Sequence, residues 1–200
     1  MEPEVGELAS GASGAGRMVE PEDIAVRLGA LLNLGDLEGL RVLVTAGPTL
    51  EDIDPVRFIG NRSTGKMGFA LAHRARARGA EVALVAGPTH LPTPSGVERI
   101  DVRSAAEMQR AVEERFAEVD VAVLAAAVAD YRVAHFSDEK IKRGDGGRTI
   151  QLVENPDIAA ALGTRKEGQT LVLFAMETDG GIENAREKLT RKGGDLIALN

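Results

Sequence analysis

From Leu40 onward, short apolar runs alternate with amphipathic stretches, and this alternation restricts the fold more than any other feature of the sequence. Apolar runs bounded by turn residues predict buried strands, and the stretches of about ten to fifteen residues between them predict helices. Strands separated by helices pair in parallel, because the chain crosses back over the sheet. We therefore predict a three-layer, Rossmann-like α/β fold with a mainly parallel sheet. The predicted strands are 40–46 (LRVLVTA), 81–87 (EVALVAG), 97–102 (VERIDV), 119–127 (VDVAVLAAA), 170–176 (TLVLFAM) and 195–199 (DLIAL).

Several local signals predict where helices begin in this domain. A helix from about Ser63 to Arg78 has apolar residues along one face. Ser104 and Glu107 have the spacing of a capping box, which marks the start of a second helix. The tripeptide 155–157 (NPD) reads as a further helix start. A last helix carries Ile182, Ala185 and Leu189 at helical spacing.

The first part of the chain differs from this pattern. Residues 1–20 are rich in Gly and Ser and carry few core residues, which is typical of a flexible segment rather than a folded unit. Residues 21–34 (PEDIAVRLGALLNL) have apolar positions at helical spacing and predict an amphipathic helix with Pro21 near its start. We therefore divide the chain into a leading segment, residues 1–37, and a main domain, residues 38–200.

Composition excludes several classes of function. The net charge of −7 disfavours a broad basic face for nucleic acid. With no cysteine and three scattered histidines, the sequence predicts neither a disulfide nor a protein-bound metal site. The longest apolar run, Val121–Ala129, is too short to span a bilayer, and no signal peptide is visible at the N-terminus. We expect a cytoplasmic protein that does not bind membranes.

The stretch 60–67 (GNRSTGKM) nearly matches the phosphate-binding loop of nucleoside triphosphatases. Gly60, Gly65 and Lys66 fit that pattern, but Met67 replaces the hydroxyl residue that would ligate Mg²⁺. A true phosphate-binding loop also follows its strand directly, whereas this one comes late in a long loop. The helix start at residues 63–66 therefore favours an anion site of another kind. Two alternatives stay open, namely Ser63 as an ordinary helix cap beside a solvated Lys66, and Asn61 as a turn residue.

Polar groups also follow the later strands. Three alanines at the end of the fourth predicted strand would let a ligand approach the backbone, and Asp130 would then face the crevice as an acceptor for an amine or a hydroxyl. Asp130 fits equally well as a cap. Lys140, in the loop 137–147 (SDEKIKRGDGG), and Lys188 with Lys192, four residues apart on one helix face, add positive charge. Exposed charge runs are usually just solvated, yet together these clusters predict a polyphosphate pocket.

The motifs, in order, resemble those of phosphopantothenate–cysteine ligases, which form the second half of a bifunctional coenzyme A biosynthesis protein of bacteria. The resemblance covers residues 40–200 and includes DPVRFIGNRSTGKMG, VALVAGPTHLPTP, AAAVADYR, EKIK, ENPDI and DLIALN. It implies CTP-dependent joining of 4′-phosphopantothenate to L-cysteine through an acyl-cytidylate, with Mg²⁺ carried in by CTP. The products would be 4′-phosphopantothenoylcysteine, CMP and pyrophosphate.

The resemblance also implies roles for residues. Lys140 would stabilise charge at the α-phosphate, Asn61 would stabilise the oxyanion formed during amine attack, and Arg57 would position a phosphate or carboxylate. The nucleotide site would comprise Leu124, Ala125, Ala126, Asp130, Lys140, Asn155, Pro156, Asp157, Ile158, Phe174, Lys188 and Lys192. The site for the phosphorylated substrate would comprise Asn61, Ser63, Gly65, Lys66 and Ala127. No protein-bound metal is implied.

The leading segment has a resemblance of its own. Residues 5–20 are similar to the C-terminal flap of a fused phosphopantothenoylcysteine decarboxylase, with Ser10 where that flap carries a reactive cysteine. Residues 1–37 would then be a tail and helix from the decarboxylase, and residues 38–200 the ligase domain. The body that binds FMN is absent, so no decarboxylase activity is expected. The resemblance implies that the family domain usually continues beyond Asn200, so we expect this chain to be truncated at its C-terminus. Members of the family are homodimers and are fused to the decarboxylase, and we expect the same of this protein.

Two other functions compete with this hypothesis. A nicotinamide-dependent oxidoreductase would share the sheet, but no G-x-G-x-x-G follows the first predicted strand, and Tyr131 is followed four residues on by His135 rather than lysine. A non-catalytic regulatory or assembly fragment is the other alternative. It is disfavoured because every residue to which the resemblance gives a reactive role is retained.

Overall fold

The computed structural model describes residues 4–7, 12–17, 19, 21–31, 35–144, 146–175 and 181–199. The helices are α1 Pro21–Leu31, α2 Lys66–Ala77, α3 Ala105–Phe116, α4 Ile158–Arg165 and α5 Gly181–Arg191. The strands of the central sheet are β3 Arg41–Ala46, β6 Glu81–Ala86, β7 Glu98–Asp101, β8 Val121–Leu124, β11 Thr170–Ala175 and β12 Leu196–Leu199. Three further strand pairs are β1 Glu4–Glu7 with β2 Ser13–Arg17, β4 Leu50–Asp52 with β5 Phe58–Gly60, and β9 Tyr131–Val133 with β10 Leu152–Glu154.

The central sheet has six strands, all parallel, in the order β12-β11-β8-β3-β6-β7. Numbered by their sequence within the sheet, these strands run 3-2-1-4-5-6, which is the dinucleotide-binding order. The chain direction across the sheet reverses between β3 and β8, which pair from Val42↔Val121 to Thr45↔Leu124. Ligands of such sheets bind beyond the carboxyl ends of the strands at this reversal. The predicted fold class is confirmed.

Two apolar layers hold helices to the sheet. On one face, α2 buries Phe69 and Ala72 against Val44 and Leu84. On the other face, helices α3 and α4 pack through residues such as Met108, against Leu43 and Leu171 among others. The core is almost entirely aliphatic, since aromatic residues make up only 3% of the chain. Strand residues with side chains on alternate faces therefore contribute to both layers, as expected for a sheet covered on both sides.

Helix α2 approaches β3 so closely that only glycine fits at position 68. A Cβ placed on Gly68 would lie 2.5 Å from the Cβ of Ala46 and 2.8 Å from the carbonyl oxygen of Thr45. This contact positions the start of α2 against the end of β3.

We expect Gly68→Ala to lower the free energy of unfolding by about 1–3 kcal/mol, because the helix must move off the strand. The matched control is Gly29→Ala in α1, where nothing lies within 4 Å and where replacing glycine in a helix stabilises by up to about 1 kcal/mol. Urea unfolding of both variants measures the difference. Equal midpoints would contradict the close-packing argument.

The predicted helix starts are partly confirmed. The Ser104 hydroxyl accepts a hydrogen bond from the Glu107 N–H at 3.2 Å and caps α3. Asp157 caps α4 by accepting from the Ala160 N–H at 3.1 Å. The prediction for α2 is early by three residues, since the helix begins at Lys66 after a left-handed Gly65 (φ 77°).

The two short hairpins, β4–β5 and β9–β10, were not predicted. Each lies in a segment that reads as a polar loop, with only three residue pairs per hairpin. Such short strands lack the alternation that marks a longer one. Strand β4 lies against β9, so the two hairpins are neighbours beside the main sheet.

The leading segment also differs from expectation. Residues 4–7 pair with residues 13–17 as antiparallel β1 and β2, where a segment without regular structure was predicted. Main-chain pairing needs no large side chains, so a Gly- and Ser-rich composition does not exclude it. Ser10, and the end of the predicted helix at residues 32–34, lie outside the described residues. None of the helices described is both long and apolar enough to cross a membrane.

Candidate functional site

A cavity of about 910 Å³ opens at the carboxyl ends of β3, β8 and β11. This volume lies within the range of small-molecule sites. Helices α4 and α5 form its other wall. Twelve of the predicted site residues line it: Asn61, Leu124, Ala126, Ala127, Asp130, Asn155, Pro156, Asp157, Ile158, Phe174, Lys188 and Lys192.

Two threonines hold the alanine-rich segment that follows β8. The Ala126 N–H donates to the hydroxyl of Thr45 at 3.1 Å, and the Ala129 N–H donates to the buried hydroxyl of Thr49 at 2.9 Å. The Ala127 N–H donates to the Gly47 carbonyl at 2.8 Å. The backbone lining the cavity is thus fixed by β3 and the loop that follows it. Sequence reasoning identified neither threonine. Thr45 lies inside an apolar strand, which was a usable signal, whereas Thr49 lies in the loop.

Part of the cavity wall is formed by Lys188 of α5 and by Lys192, which follows α5 directly. Lys192 pairs with Asp157 at 3.0 Å, and the described residues offer Lys188 no ion-pair partner. Burial raises the pKa of Asp157, but the Ala160 N–H and the Lys192 ammonium outweigh it, so the pKa lies below its usual range. Asp157 therefore partly neutralises the positive charge of Lys192, whereas Lys188 can pair with a bound anion.

Another part of the cavity wall is formed by polar groups of β9, β10 and their flanks. The Asn155 N–H donates to the Asp130 carbonyl at 2.7 Å, and the Asn155 amide donates to the Ala129 carbonyl at 2.8 Å. Arg132 donates to the Glu154 carbonyl and to the Asn155 amide oxygen. These bonds fix the backbone around Asp130, whose exposed carboxylate has no hydrogen-bond partner among the described residues. Asp130 caps none of the described helices, so the structure does not support the alternative that it is a capping residue.

A second cavity, of about 420 Å³, lies beside the first at the start of α2. Residues 62–68 and Ala125 line it, including the predicted Ser63, Gly65 and Lys66. The Ser63 hydroxyl accepts from the Gly65 N–H at 3.2 Å, and no side chain caps α2. Ser63 is therefore not the helix cap, and the first N–H groups of α2 are left for an anion. From the loop after β6, Thr89 donates to the Thr64 carbonyl at 3.1 Å and braces this turn.

Arg62 and Asn61 lie where the two cavities meet. Arg62 lines both cavities, and within the described residues it has no ion-pair partner. The Asn61 amide donates to the Val128 carbonyl at 2.8 Å, which orients the side chain at the cavity wall. Sequence reasoning did not select Arg62. Its position between two predicted site residues was the available signal.

Arg57 and Lys140 line neither of these cavities. Arg57 stands at the turn of the β4–β5 hairpin, four residues before Asn61, or roughly 13 Å away along an extended chain. Its guanidinium donates to the Ile141 carbonyl at 3.1 Å, so the Lys140 loop lies beside Arg57 at the turn of the β4–β5 hairpin. Of the eighteen predicted site residues, these two are the ones that the structure does not bring to a cavity. In the part of the chain that the structure describes, no three His, Asp or Glu side chains group closely enough to hold a metal ion.

The comparisons with known proteins agree on one family. Residues 37–200 match the model of the DNA/pantothenate metabolism flavoprotein C-terminal domain. A relative from an unknown prokaryotic organism, named a cysteine/cysteine sulfinic acid decarboxylase, is 53% identical over 207 residues, which are 100% of this chain and 58% of that protein. The coenzyme A biosynthesis bifunctional protein CoaBC of Vibrio cholerae is 47% identical over 99% of this chain and 50% of its own length.

Solved structures give the same result. The crystal structure of the C-terminal domain of a CoaBC protein superposes with a TM-score of 0.75 at 44% identity, covering 83% of this chain and 79% of that one. The chain spans about half the length of the curated relatives it matches.

Proposed function

The chain belongs to the family of DNA/pantothenate metabolism flavoprotein C-terminal domains, and from this premise we propose that it catalyses the ligase step of coenzyme A biosynthesis. In that step Mg²⁺·CTP activates 4′-phosphopantothenate, and L-cysteine then takes the acyl group. Residues 38–200 would form the ligase domain, and residues 1–37 would come from a preceding cytoplasmic decarboxylase of the same polypeptide.

The reaction has two steps that make different demands on the protein. First, a carboxylate oxygen of phosphopantothenate attacks the α-phosphorus of CTP. The bond to the β-phosphate breaks, pyrophosphate leaves, and an acyl-cytidylate forms. Second, the cysteine nitrogen attacks the acyl carbon, the bond to the cytidylate oxygen breaks, CMP leaves, and the amine loses a proton to solvent. The first step brings two anions together, so positive charge must lie between them.

The observation that carries this proposal is a pair of adjoining cavities at the strand reversal, each with its own anion-binding groups. Lys188 and Lys192 give the larger cavity a cationic end that suits the triphosphate of CTP. The uncapped start of α2 and Lys66 give the smaller cavity a place for the phosphate monoester of phosphopantothenate. This phosphate is held by N–H groups and needs no Mg²⁺, which explains why Met67 can replace a hydroxyl residue. The net charge of the whole chain is −7, so these two neighbouring groups place positive charge locally in an acidic protein.

Asp130 gives the nucleotide cavity its selectivity in this proposal. Its unpaired carboxylate would accept a hydrogen bond from the exocyclic amine of cytosine, which uracil lacks. Adenine also has an amine, so exclusion of ATP would depend on the size of the pocket, whose floor is the fixed backbone at residues 126–129.

Lys140 would act as part of a homodimer. Lys140 and Arg57 lie together outside both cavities, and the exposed apolar side chains of Val56, Phe58 and Tyr131 are on the same two hairpins. A second copy of the chain would cover these apolar groups and receive Lys140 at its own α-phosphate site. The two hairpins thus supply the interface and a catalytic residue together.

Ligand binding separates this function from that of an oxidoreductase. With CTP·Mg²⁺ at 100 times its dissociation constant, we expect a stabilisation of about 2.7 kcal/mol, which raises the Tm of a domain this size by roughly 5–10 °C. NADPH should leave the Tm unchanged, because the cavity has no dinucleotide fingerprint. UTP should raise it less than CTP because it offers Asp130 no amine. A thermal shift with NADPH and none with CTP would reverse the choice.

The direct test is pyrophosphate release from CTP, measured with and without 4′-phosphopantothenate and followed by mass detection of the cysteine adduct. The name of the 53% identical relative supplies a second candidate, decarboxylation of cysteine or cysteine sulfinate. Decarboxylation consumes no nucleotide. Carbon dioxide released from either amino acid in the absence of CTP, with no pyrophosphate in its presence, would favour that alternative.

A further inference from the structure

We propose that Asp54 is a positioning residue that fixes the Lys140 loop, residues 137–142, to the turn of the β4–β5 hairpin. This inference rests on the proposed function, because the reason to fix the loop is the role of Lys140 at the α-phosphate. It concerns Asp54 alone, to which neither the sequence motifs nor the cavities assign a role.

Asp54 is a fully buried carboxylate on an otherwise exposed turn. Its side chain is 0% accessible, whereas that of its ion-pair partner Arg57 is 47% accessible. Buried aspartates are rare unless paired, since leaving water costs the charged form heavily. Asp54 accepts hydrogen bonds from four N–H groups, which offset that cost.

The two carboxylate oxygens have separate tasks. Oδ1 accepts from the N–H groups of Val56 and Arg57, both at 2.8 Å, and so closes the local turn. Oδ2 accepts from the Arg57 guanidinium at 2.8 Å and from the Ile141 N–H at 3.1 Å. An aspartate that served only the turn would need Oδ1 alone. The Oδ2 bond reaches a residue 87 positions further along the chain.

The remaining contacts complete a clamp on both ends of the loop. The Arg57 guanidinium bonds the Ile141 carbonyl at 3.1 Å, so Asp54 and Arg57 together hold both backbone groups of Ile141. The Ser137 N–H donates to the Ile53 carbonyl at 3.1 Å at the start of the loop. Lys140, next to Ile141, therefore has a fixed backbone, while its exposed side chain has no partner within the described residues. The positive charge of Lys140 is thus exposed to solvent on a loop whose backbone is fixed.

The same hydrogen bonds favour the ionised form of Asp54. Burial raises the pKa of this carboxyl, but the N–H groups of Val56, Ile141 and Arg57 together with the Arg57 charge lower it below the ordinary range. The Asp54 carboxylate therefore stays ionised at neutral pH.

The variant that separates the two tasks is Asp54→Asn, studied in the whole chain. The amide oxygen can still accept from Val56 and Arg57, whereas an NH₂ group at the Oδ2 position faces two donors and loses the loop. We expect trypsin to cleave after Lys142 and Arg143 about tenfold faster than in the parent chain. We also expect kcat for pyrophosphate release to fall by about 10–100-fold, with the KM for CTP changed by less than about threefold.

The matched control is Asp52→Asn on the same hairpin, whose carboxylate pairs with Arg103 and, among the described residues, makes no hydrogen bond to the loop. It should leave loop cleavage within about twofold of the parent. Loop cleavage at the parental rate in Asp54→Asn overturns the proposal. If Asp54→Asn lowers the urea midpoint so far that the whole chain is digested, Ile141→Pro decides instead, because it leaves Asp54 and its turn bonds in place and removes the loop N–H that Asp54 accepts. Parental cleavage after Lys142 in that variant overturns the proposal equally.

The two readouts keep this inference apart from the ligase proposal. Cleavage of the loop needs no substrate, so it tests the clamp even if the parent chain releases no pyrophosphate from CTP. If the parent chain is inactive and Asp54→Asn is nevertheless cleaved faster than the parent, Asp54 is still the anchor of the loop, and the ligase function is excluded. If the parent is active and Asp54→Asn is cleaved faster but has the parental kcat, the anchor has no catalytic purpose, and the inference is overturned.

Discussion

Replacement of Lys140 by glutamine should abolish pyrophosphate release while leaving the binding of CTP nearly intact. Lys140 lines neither cavity, so the contacts proposed for the cytosine and for the β- and γ-phosphates should be kept in the variant. In the proposed reaction the lost group acts only on the charge that develops at the α-phosphate. Removal of such a group costs about 10²–10³ in kcat, or roughly 2.7–4 kcal/mol of transition-state stabilisation.

The measurement is a continuous pyrophosphate assay at saturating CTP, beside a titration that reports the Kd for CTP. Lys142→Gln is the matched control, since Lys142 is an exposed lysine of the same loop and, like Lys140, is next to Ile141, whose backbone Asp54 and Arg57 hold. Its pyrophosphate release should stay within about threefold of the parent. Equal losses in the two variants would mean that the loop contributes only general positive charge.

Mixing of subunits tests where Lys140 acts. A double variant, Lys188→Ala with Lys192→Ala, should no longer bind the triphosphate of CTP in its own cavity, but it keeps Lys140. If Lys140 serves the neighbouring subunit, a mixed dimer with Lys140→Gln contains one complete site. A random mixture should then recover about a quarter of the parental activity, because half of the dimers are mixed and each has one working site of two. No recovery would mean that Lys140 acts within its own chain.

The strands and helices of the central sheet could be predicted because each is marked by its own residues. Leu43 and Leu84 stand in apolar runs, and Ser104 with Glu107 marks a helix start by a local hydrogen bond. Parallel order followed from the helices between the strands. The loops that line the cavity could be predicted because the carboxyl ends of parallel strands meet at one edge. The full set of predicted cavity residues came from the resemblance to the ligase family.

The features that escaped prediction depend on contacts between distant segments. Asp54 reads as an ordinary turn aspartate until Ile141 is brought beside it, and Thr49 reads as a loop residue until the Ala129 N–H meets it. Arg62 lines two cavities because the turn before α2 lies next to the segment after β8. The β1–β2 pair depends on main-chain bonds, which leave no mark in the composition. Nor did the sequence reveal that Lys140 and Arg57 lie apart from the cavities.

Asn61→Asp should uncouple the two steps of the reaction, so that the acyl-cytidylate forms but the cysteine adduct appears slowly. The Asn61 amide nitrogen lies 2.8 Å from the Val128 carbonyl oxygen. In the variant a carboxylate oxygen faces that carbonyl, so the side chain is repelled from its position, and it offers negative charge where the acyl oxygen becomes an oxyanion. Loss of one oxyanion donor costs about 10²–10³ in rate, and we expect at least that loss in adduct formation.

The first step should survive, because Asn61 is proposed to touch the acyl carbonyl and not the phosphates. In rapid-quench experiments the variant should release about one pyrophosphate per active site in a burst and then slow, since the trapped intermediate blocks turnover. Hydroxylamine supplied in place of cysteine should capture this intermediate as a hydroxamate. Asn61→Ala is the matched control, because it removes the donor without adding charge, and its adduct formation should fall less than that of Asn61→Asp. A burst that is lost together with adduct formation would place Asn61 at the phosphates, and parental rates in both steps would remove it from the reaction.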